Sequence, residues 1–137
     1  MLTLTRDAYD DIIYRGYGGG SEEVCGILAG EYGDEASYVA DVYPVENAAD
    51  TPQLRYAMDP EEQLAVTDEI EDAGLEIVGF YHSHPAGPTR PSETDADRAT
   101  WPDYSYAICA FDGYPFLGSW RWRGGDAGFE GERVVIE

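Results

Sequence analysis

An apolar run that ends on two histidines constrains this chain more than any other stretch. Leu75-Glu76-Ile77-Val78-Gly79-Phe80-Tyr81 reads as a buried strand and leads straight into His82-Ser83-His84. No other histidine occurs in the sequence. On a strand, the period of two sends His82 and His84 to one face and Ser83 to the other. The eight residues after His84 carry three prolines and a glycine, so the strand cannot continue. Ser92-Glu93-Thr94-Asp95 then reads as a helix start, with Ser92 and Asp95 three apart and able to share a face. Strand, proline-rich loop and helix follow in that order, and together they can bring two imidazoles and one carboxylate to a point.

Two nitrogen ligands and one oxygen anion suit zinc, and three protein ligands leave one coordination position for water. With a single carboxylate the ion keeps positive charge, enough to acidify water and polarise a carbonyl. A plainer account also exists: an exposed His-x-His at a strand end, and Ser92 with Asp95 as a helix-capping pair.

The charge excludes several functions. Asp and Glu number 28 against 8 basic residues, a formal net charge of -20, and there is no lysine. The acids run from end to end, so the whole surface is acidic. Such self-repulsion is relieved by screening, which points to a cytoplasm of molar salt and a halophilic source. No basic patch is available to neutralise phosphates, so nucleic acid is not an expected partner. Nor is a membrane: no leader segment and no apolar span is visible. Cys25 and Cys109 both lie in apolar runs and read as buried free thiols, with a disulfide left open and no Cys-x-x-Cys motif.

At 137 residues the chain has room for one domain. Leu2 to Leu4 reads as a short strand, and apolar positions 9, 12, 13 and 17 give a helix capped by Thr5 or Asp7 and ended by Gly18-Gly19-Gly20. Strands are expected over Val24 to Gly30 and Ala36 to Val45, a short one over Leu54 to Met58. A helix follows from Pro60 to Ala73, with Asp59 as cap and Leu64, Thr67, Ile70 and Glu71 on its packed side. After the His82–Asp95 stretch come a helix to about Ala99 and strands over Tyr104 to Phe111, Phe116 to Arg123 and Phe129 to Ile136. A turn at Asp112-Gly113-Tyr114-Pro115 joins the first two of these strands. Trp101, Trp120 and Trp122 read as packing residues. The class is mixed α/β.

Hydrolysis at a metal-bound water needs a base that can later serve as an acid. Glu22 and Glu23 open a buried strand, where a carboxylate has no packing reason to be, and residue types alone do not choose between them. The whole pattern resembles the JAMM (MPN-plus) metalloprotease family: an upstream glutamate, then His-x-His, seven residues, Ser, two residues, Asp. His82-Ser83-His84-Pro85, Ser92 and Asp95 fit that spacing, and Glu23-Val24-Cys25-Gly26 fits the family's Glu-x-x-Gly segment, which selects Glu23.

The resemblance implies a central mixed β-sheet flanked by helices, cytidine-deaminase-like in layout, although the deaminase signature itself is absent. It implies one catalytic zinc on His82, His84 and Asp95, Glu23 as general base and acid, and Ser92 as donor to the polarised carbonyl. It implies an isopeptidase acting after the C-terminal Gly-Gly of ubiquitin-like modifiers, here the small archaeal modifiers and their conjugates. Processing of C-terminally extended sulfur carriers is the second reading, and a zinc-bearing interaction module without turnover the third. The Gly-Gly tail would lie along an open strand edge and a slot near Tyr81 and Pro85 to Pro91.

Overall fold

The computed structural model describes residues 1–111 and 116–137, so the turn expected at Asp112–Pro115 lies outside the described residues. In chain order the elements are β1 (Leu2–Leu4), α1 (Arg6–Gly18), β2 (Cys25–Glu31), β3 (Ser37–Val45), α2 (Pro60–Asp72) and β4 (Glu76–His84). Then follow α3 (Glu93–Arg98), β5 (Ser105–Ala110), β6 (Phe116–Trp122), β7 (Phe129–Glu132) and β8 (Val134–Ile136). The strands form one mixed sheet in the order β7-β6-β5-β4-β2-β3-β1-β8. Its central strands β2, β4 and β5 are buried along almost their whole length, which is why they read as unbroken apolar runs.

β4 runs antiparallel to β2 and parallel to β5. Cys25 pairs with His82, and Ser83 pairs with Cys109. Because His82 and Ser83 point to opposite faces, so do the two cysteines, and both remain free buried thiols. One core lies on the α1 face around Leu4, Ile12, Leu28, Val78 and Tyr81. The other lies on the α2 face around Ile27, Val66, Ile70, Phe80 and Tyr106. Ile70 is fully buried, and its truncation to Ala would cost about 2–5 kcal/mol.

The helix starts follow their capping chemistry. Thr5 Oγ1 accepts from Ala8 N–H at 3.1 Å, and the Asp59 carboxylate accepts from Glu62 N–H at 3.0 Å. The packed side of α2 differs from the expected one: Val66 and Ile70 are buried, whereas Leu64 is 65% exposed. The helix presents its 63/66/67/70 stripe to the sheet, and Leu64 falls outside it.

Two strands depart from expectation. Residues 54–58 form no ladder beyond a single Asn47–Met58 bridge. The Asn47 side chain takes the groups a ladder would use, accepting from Ala57 N–H at 3.0 Å and donating to Arg55 O at 3.1 Å. The stretch 129–136 is two strands rather than one: β7 pairs with β6, and β8 pairs with β1. Only Arg133 separates them, so the two ends of the sheet order must meet in space and the sheet curls nearly closed.

Candidate metal centre

β4 carries both imidazoles out of the core at its C-terminal end. His82 and His84 are 1% and 5% exposed, on the same face, with Nε2 atoms 3.1 Å apart. The loop after them is shaped to hold His84. Gly87 adopts φ 75°, a conformation open to glycine, and the chain turns so that His84 Nδ1–H donates to Pro88 O at 2.8 Å. That bond fixes the tautomer and leaves His84 Nε2 as a bare lone pair.

α3 supplies the carboxylate. Asp95 Oδ2 lies 3.1 Å from His84 Nε2 and 3.2 Å from His82 Nε2. Its position is set by a capping box: Ser92 N–H donates to Asp95 Oδ2 at 2.8 Å, and Asp95 N–H donates to Ser92 Oγ at 3.0 Å. Ser92 is thus a helix cap that aims Asp95, and its own hydroxyl proton remains uncommitted. The capping pair and the His–Asp cluster are one arrangement.

Glu23 reaches the imidazoles from β2's approach. A carboxylate oxygen of Glu23 and one ring nitrogen from each of His82 and His84 all lie within 4.8 Å of one another, and Glu23 is 7% exposed. Glu22, the other sequence candidate, is exposed. The Glu23 backbone is clamped on three sides. Its N–H donates to Pro52 O at 2.7 Å, its carbonyl accepts from Asn47 Nδ2 at 2.9 Å, and the next N–H, of Val24, donates to Ser83 Oγ at 2.9 Å. Asn47 and Ser83 carried no functional signal in the sequence. Tyr56 carried none either, yet its ring stacks on His82 with centroids 4.4 Å apart.

The electrostatics mark this cluster as incomplete by itself. Burial pushes the Glu23 carboxyl up to about 7, with His84 opposing and Asp95 adding to the rise. Burial works against ionised Asp95 too, but the facing His82 and His84 rings and the N–H of Ser92 hold it far below the usual carboxylate range. Burial lowers His82, whereas for His84 the adjacent Asp95 carboxylate and the bond to Pro88 outweigh burial and raise it. His84 Nε2 and Asp95 Oδ2 are two acceptors in contact unless a cation lies between them. His82 Nδ1 and Glu23 Oε1 are buried without a hydrogen-bond partner.

These residues fit a divalent cation. The Nε2, Nε2 and Oδ2 atoms form a triangle with edges of 3.1, 3.1 and 3.2 Å. Tetrahedral coordination at about 2.0–2.1 Å requires ligand atoms about 3.3 Å apart. The Glu23 carboxylate lies beside this triangle, with one oxygen within 4.8 Å of both imidazoles.

Tyr81 lies elsewhere than the sequence suggested. It is on the opposite face of β4 from the imidazoles, 1% exposed, among the α1-side core.

Comparison with known proteins agrees with this picture. Residues 5–123 match the family of prokaryotic homologs of the JAB domain. The desampylase of Haloferax volcanii is 43% identical over 123 residues, covering 87% of this chain and 87% of that protein. The CysO-cysteine peptidase of Mycobacterium tuberculosis is 34% identical over 108 residues, covering 79% and 72%. A solution structure of a Desulfitobacterium hafniense protein superimposes with a TM-score of 0.90 over 100% of this chain and 93% of that one, at 30% identity.

Proposed function

The chain belongs to the JAMM/MPN family, among its prokaryotic JAB-domain members, and on that footing we propose that it is a zinc-dependent isopeptidase. Its substrates are conjugates in which the C-terminal Gly-Gly of a small ubiquitin-like modifier is joined to a lysine or to another chain. The observation that carries this reading is the pairing of a three-atom ligand triangle with a buried, partnerless Glu23 oxygen beside it. A purely structural zinc site has no use for such a carboxylate and usually completes its fourth ligand from protein.

In this reading His82, His84 and Asp95 hold the metal. Zinc, when bound, supplies a Lewis acid for the scissile carbonyl and lowers the pKa of water. Glu23, raised by burial toward neutrality, takes the proton of the attacking water and returns it to the amide nitrogen. That return matters because a lysine amine, with a pKa of about 10.4, leaves poorly unless protonated. Ser92 donates its free hydroxyl proton to the carbonyl oxygen as charge develops there. Asn47 and Ser83 keep the Glu23 backbone in register with β4. No covalent enzyme intermediate is needed, and Cys25 and Cys109, both pushed up to about 12 by burial, are poor nucleophiles.

The likeness to a CysO-cysteine peptidase favours a second substrate class, C-terminally extended sulfur-carrier proteins. The two are separated by parallel assays in about 2 M salt, where the acidic surface is screened. An archaeal modifier isopeptide-linked to a carrier protein should be cleaved with the higher kcat/KM, releasing intact modifier. A higher value for the extended carrier would move the assignment to processing, and no release from either would overturn the enzyme reading.

A further inference from the structure

A cleft of about 890 Å³ lies beside Glu23. It runs between the C-terminal end of α1 and the first residues of β2. Glu23 is among its lining residues, whereas no residue of the 82–95 stretch is. The group that handles the departing nitrogen is therefore part of the cleft wall, whereas Ser92, on the carbonyl side, is not.

Its chemistry is one-sided. Glu22, Glu46 and Glu62 line it together with Glu23, against one guanidinium, that of Arg15, whose Nε lies 3.0 Å from Asp11 but makes no hydrogen bond. A second feature is independent of these acids. Tyr81 is 1% exposed, lines the cleft, and its phenolic oxygen has no hydrogen-bond partner. The ring reaches that position across Gly26, where any Cβ would lie 2.3 Å from Tyr81 Cε1. The absence of a side chain at 26 thus lets the Tyr81 ring pack over that backbone, with its hydroxyl buried in the wall of the cleft and without a hydrogen-bond partner. A buried polar atom left without a partner costs about 1–3 kcal/mol, so a partner from outside would be favoured.

We propose that this cleft is the leaving-group subsite: it receives the lysine-bearing segment of the target, and Tyr81 Oη with the flanking carboxylates holds the released ammonium. The proposal rests on the isopeptidase reading and adds to it which surface takes the target. On cleavage the C–N bond breaks, water oxygen bonds to the carbonyl carbon, and the nitrogen departs with the proton carried by Glu23. The free amine then takes a second proton from water and is cationic at neutral pH. The modifier's Gly-Gly tail, uncharged and without side chains, has no use for an acidic cleft with a phenol at its base.

The test uses the full zinc-loaded chain in two readouts. Nα-acetyl-lysine methylamide, titrated while backbone amide resonances are followed, should shift Gly18, Gly19, Val24 and Glu46, and its norleucine counterpart should not. Tyr81→Phe removes only an unpaired hydroxyl and leaves the core packing intact, so loss of fold does not confuse the result. It should weaken lysine-probe binding about 3- to 10-fold, the range of one hydrogen bond. It should also lower, by a similar factor, the ratio of kcat/KM for a modifier–lysine isopeptide to that for the modifier methylamide. Shifts confined to residues 85–91, equal binding of lysine and norleucine probes, or an unchanged substrate ratio in Tyr81→Phe would overturn the subsite. Failure of the wild type to cleave either substrate would instead reject the isopeptidase reading, while the probe titration would still report whether the cleft binds a lysine.

Discussion

Two buried polar clusters sit at opposite ends of the same strands, and only one of them is complete. At the β5 N-terminal end, Arg121 is 2% exposed with every nitrogen of its guanidinium hydrogen-bonded. It donates from Nε to Glu132 at 3.0 Å, from Nη1 to Gly33 O and Asp103 O, and from Nη2 to Ser37 Oγ. Glu132 Oε2 accepts from Ser105 and Ser119, each at 2.7 Å. At the β4 C-terminal end, His82 Nδ1 and Glu23 Oε1 have no partner, and two acceptors face each other at 3.1 Å. A closed network holds the curled sheet together, whereas an open one invites a cation and a substrate. Burial alone does not distinguish the two; satisfaction does.

The comparison can be broken from either side. The largest effect is expected at the open cluster: Glu23→Gln should lower kcat about 10²–10⁴-fold while leaving zinc content and the unfolding midpoint essentially unchanged. Steady-state kinetics, metal analysis and denaturant unfolding of the same preparation check all three. At the closed cluster the roles reverse. Glu132→Ala strands the buried Arg121 charge and should cost about 3–5 kcal/mol in equilibrium unfolding. The paired replacement Arg121→Met with Glu132→Leu should recover most of that loss, because no buried charge is left uncompensated and the Met1 ammonium that also faces Glu132 is solvent-exposed. Chelation comes next: the metal-depleted protein should keep its fold but lose the stabilisation by bound ion, about 2.7 kcal/mol at zinc 100-fold above Kd. Thermal unfolding with and without chelator measures it.

The smallest effect is in pH. Hydrogen bonds from Ser105, Ser119, Arg121 and the Met1 ammonium, 3.0 Å away, outweigh burial and hold Glu132 below its ordinary value. Its contribution to stability is therefore present above the unfolded carboxyl value of about 4.3 and is lost as pH falls through the lower, folded value. Wild type should lose stability below that pH more steeply than Glu132→Gln, as read by unfolding at a series of acidic pH values. Equal slopes would remove Glu132 from the account.

The difference in legibility follows the same division. His82, His84, Ser92 and Asp95 lie within one strand–loop–helix unit, so strand period and helix capping place them together from residue types alone. Glu23 needed the resemblance, because its approach to the imidazoles is a register between β2 and β4 that sequence spacing does not encode. The Arg121 network was not visible: its partners Gly33 and Ser37 lie 88 and 84 residues away, and each looks ordinary locally. Asn47 and Tyr56 were missed for a related reason, since a side chain that replaces ladder bonds leaves a stretch looking like a weak strand. The break between β7 and β8 was likewise hidden, because two edge strands separated by one residue share one alternating pattern.

The most direct test of the central claim is release of intact modifier from a Gly-Gly–lysine isopeptide in about 2 M salt. Wild type, chelated wild type, chelated protein restored with zinc, and Glu23→Gln would be assayed side by side. Release by wild type and by the zinc-restored protein, with none from the chelated form and at most a trace from Glu23→Gln, is the expected result. Undiminished release by folded, metal-free protein or by Glu23→Gln would contradict the assignment of the open cluster as the catalytic centre.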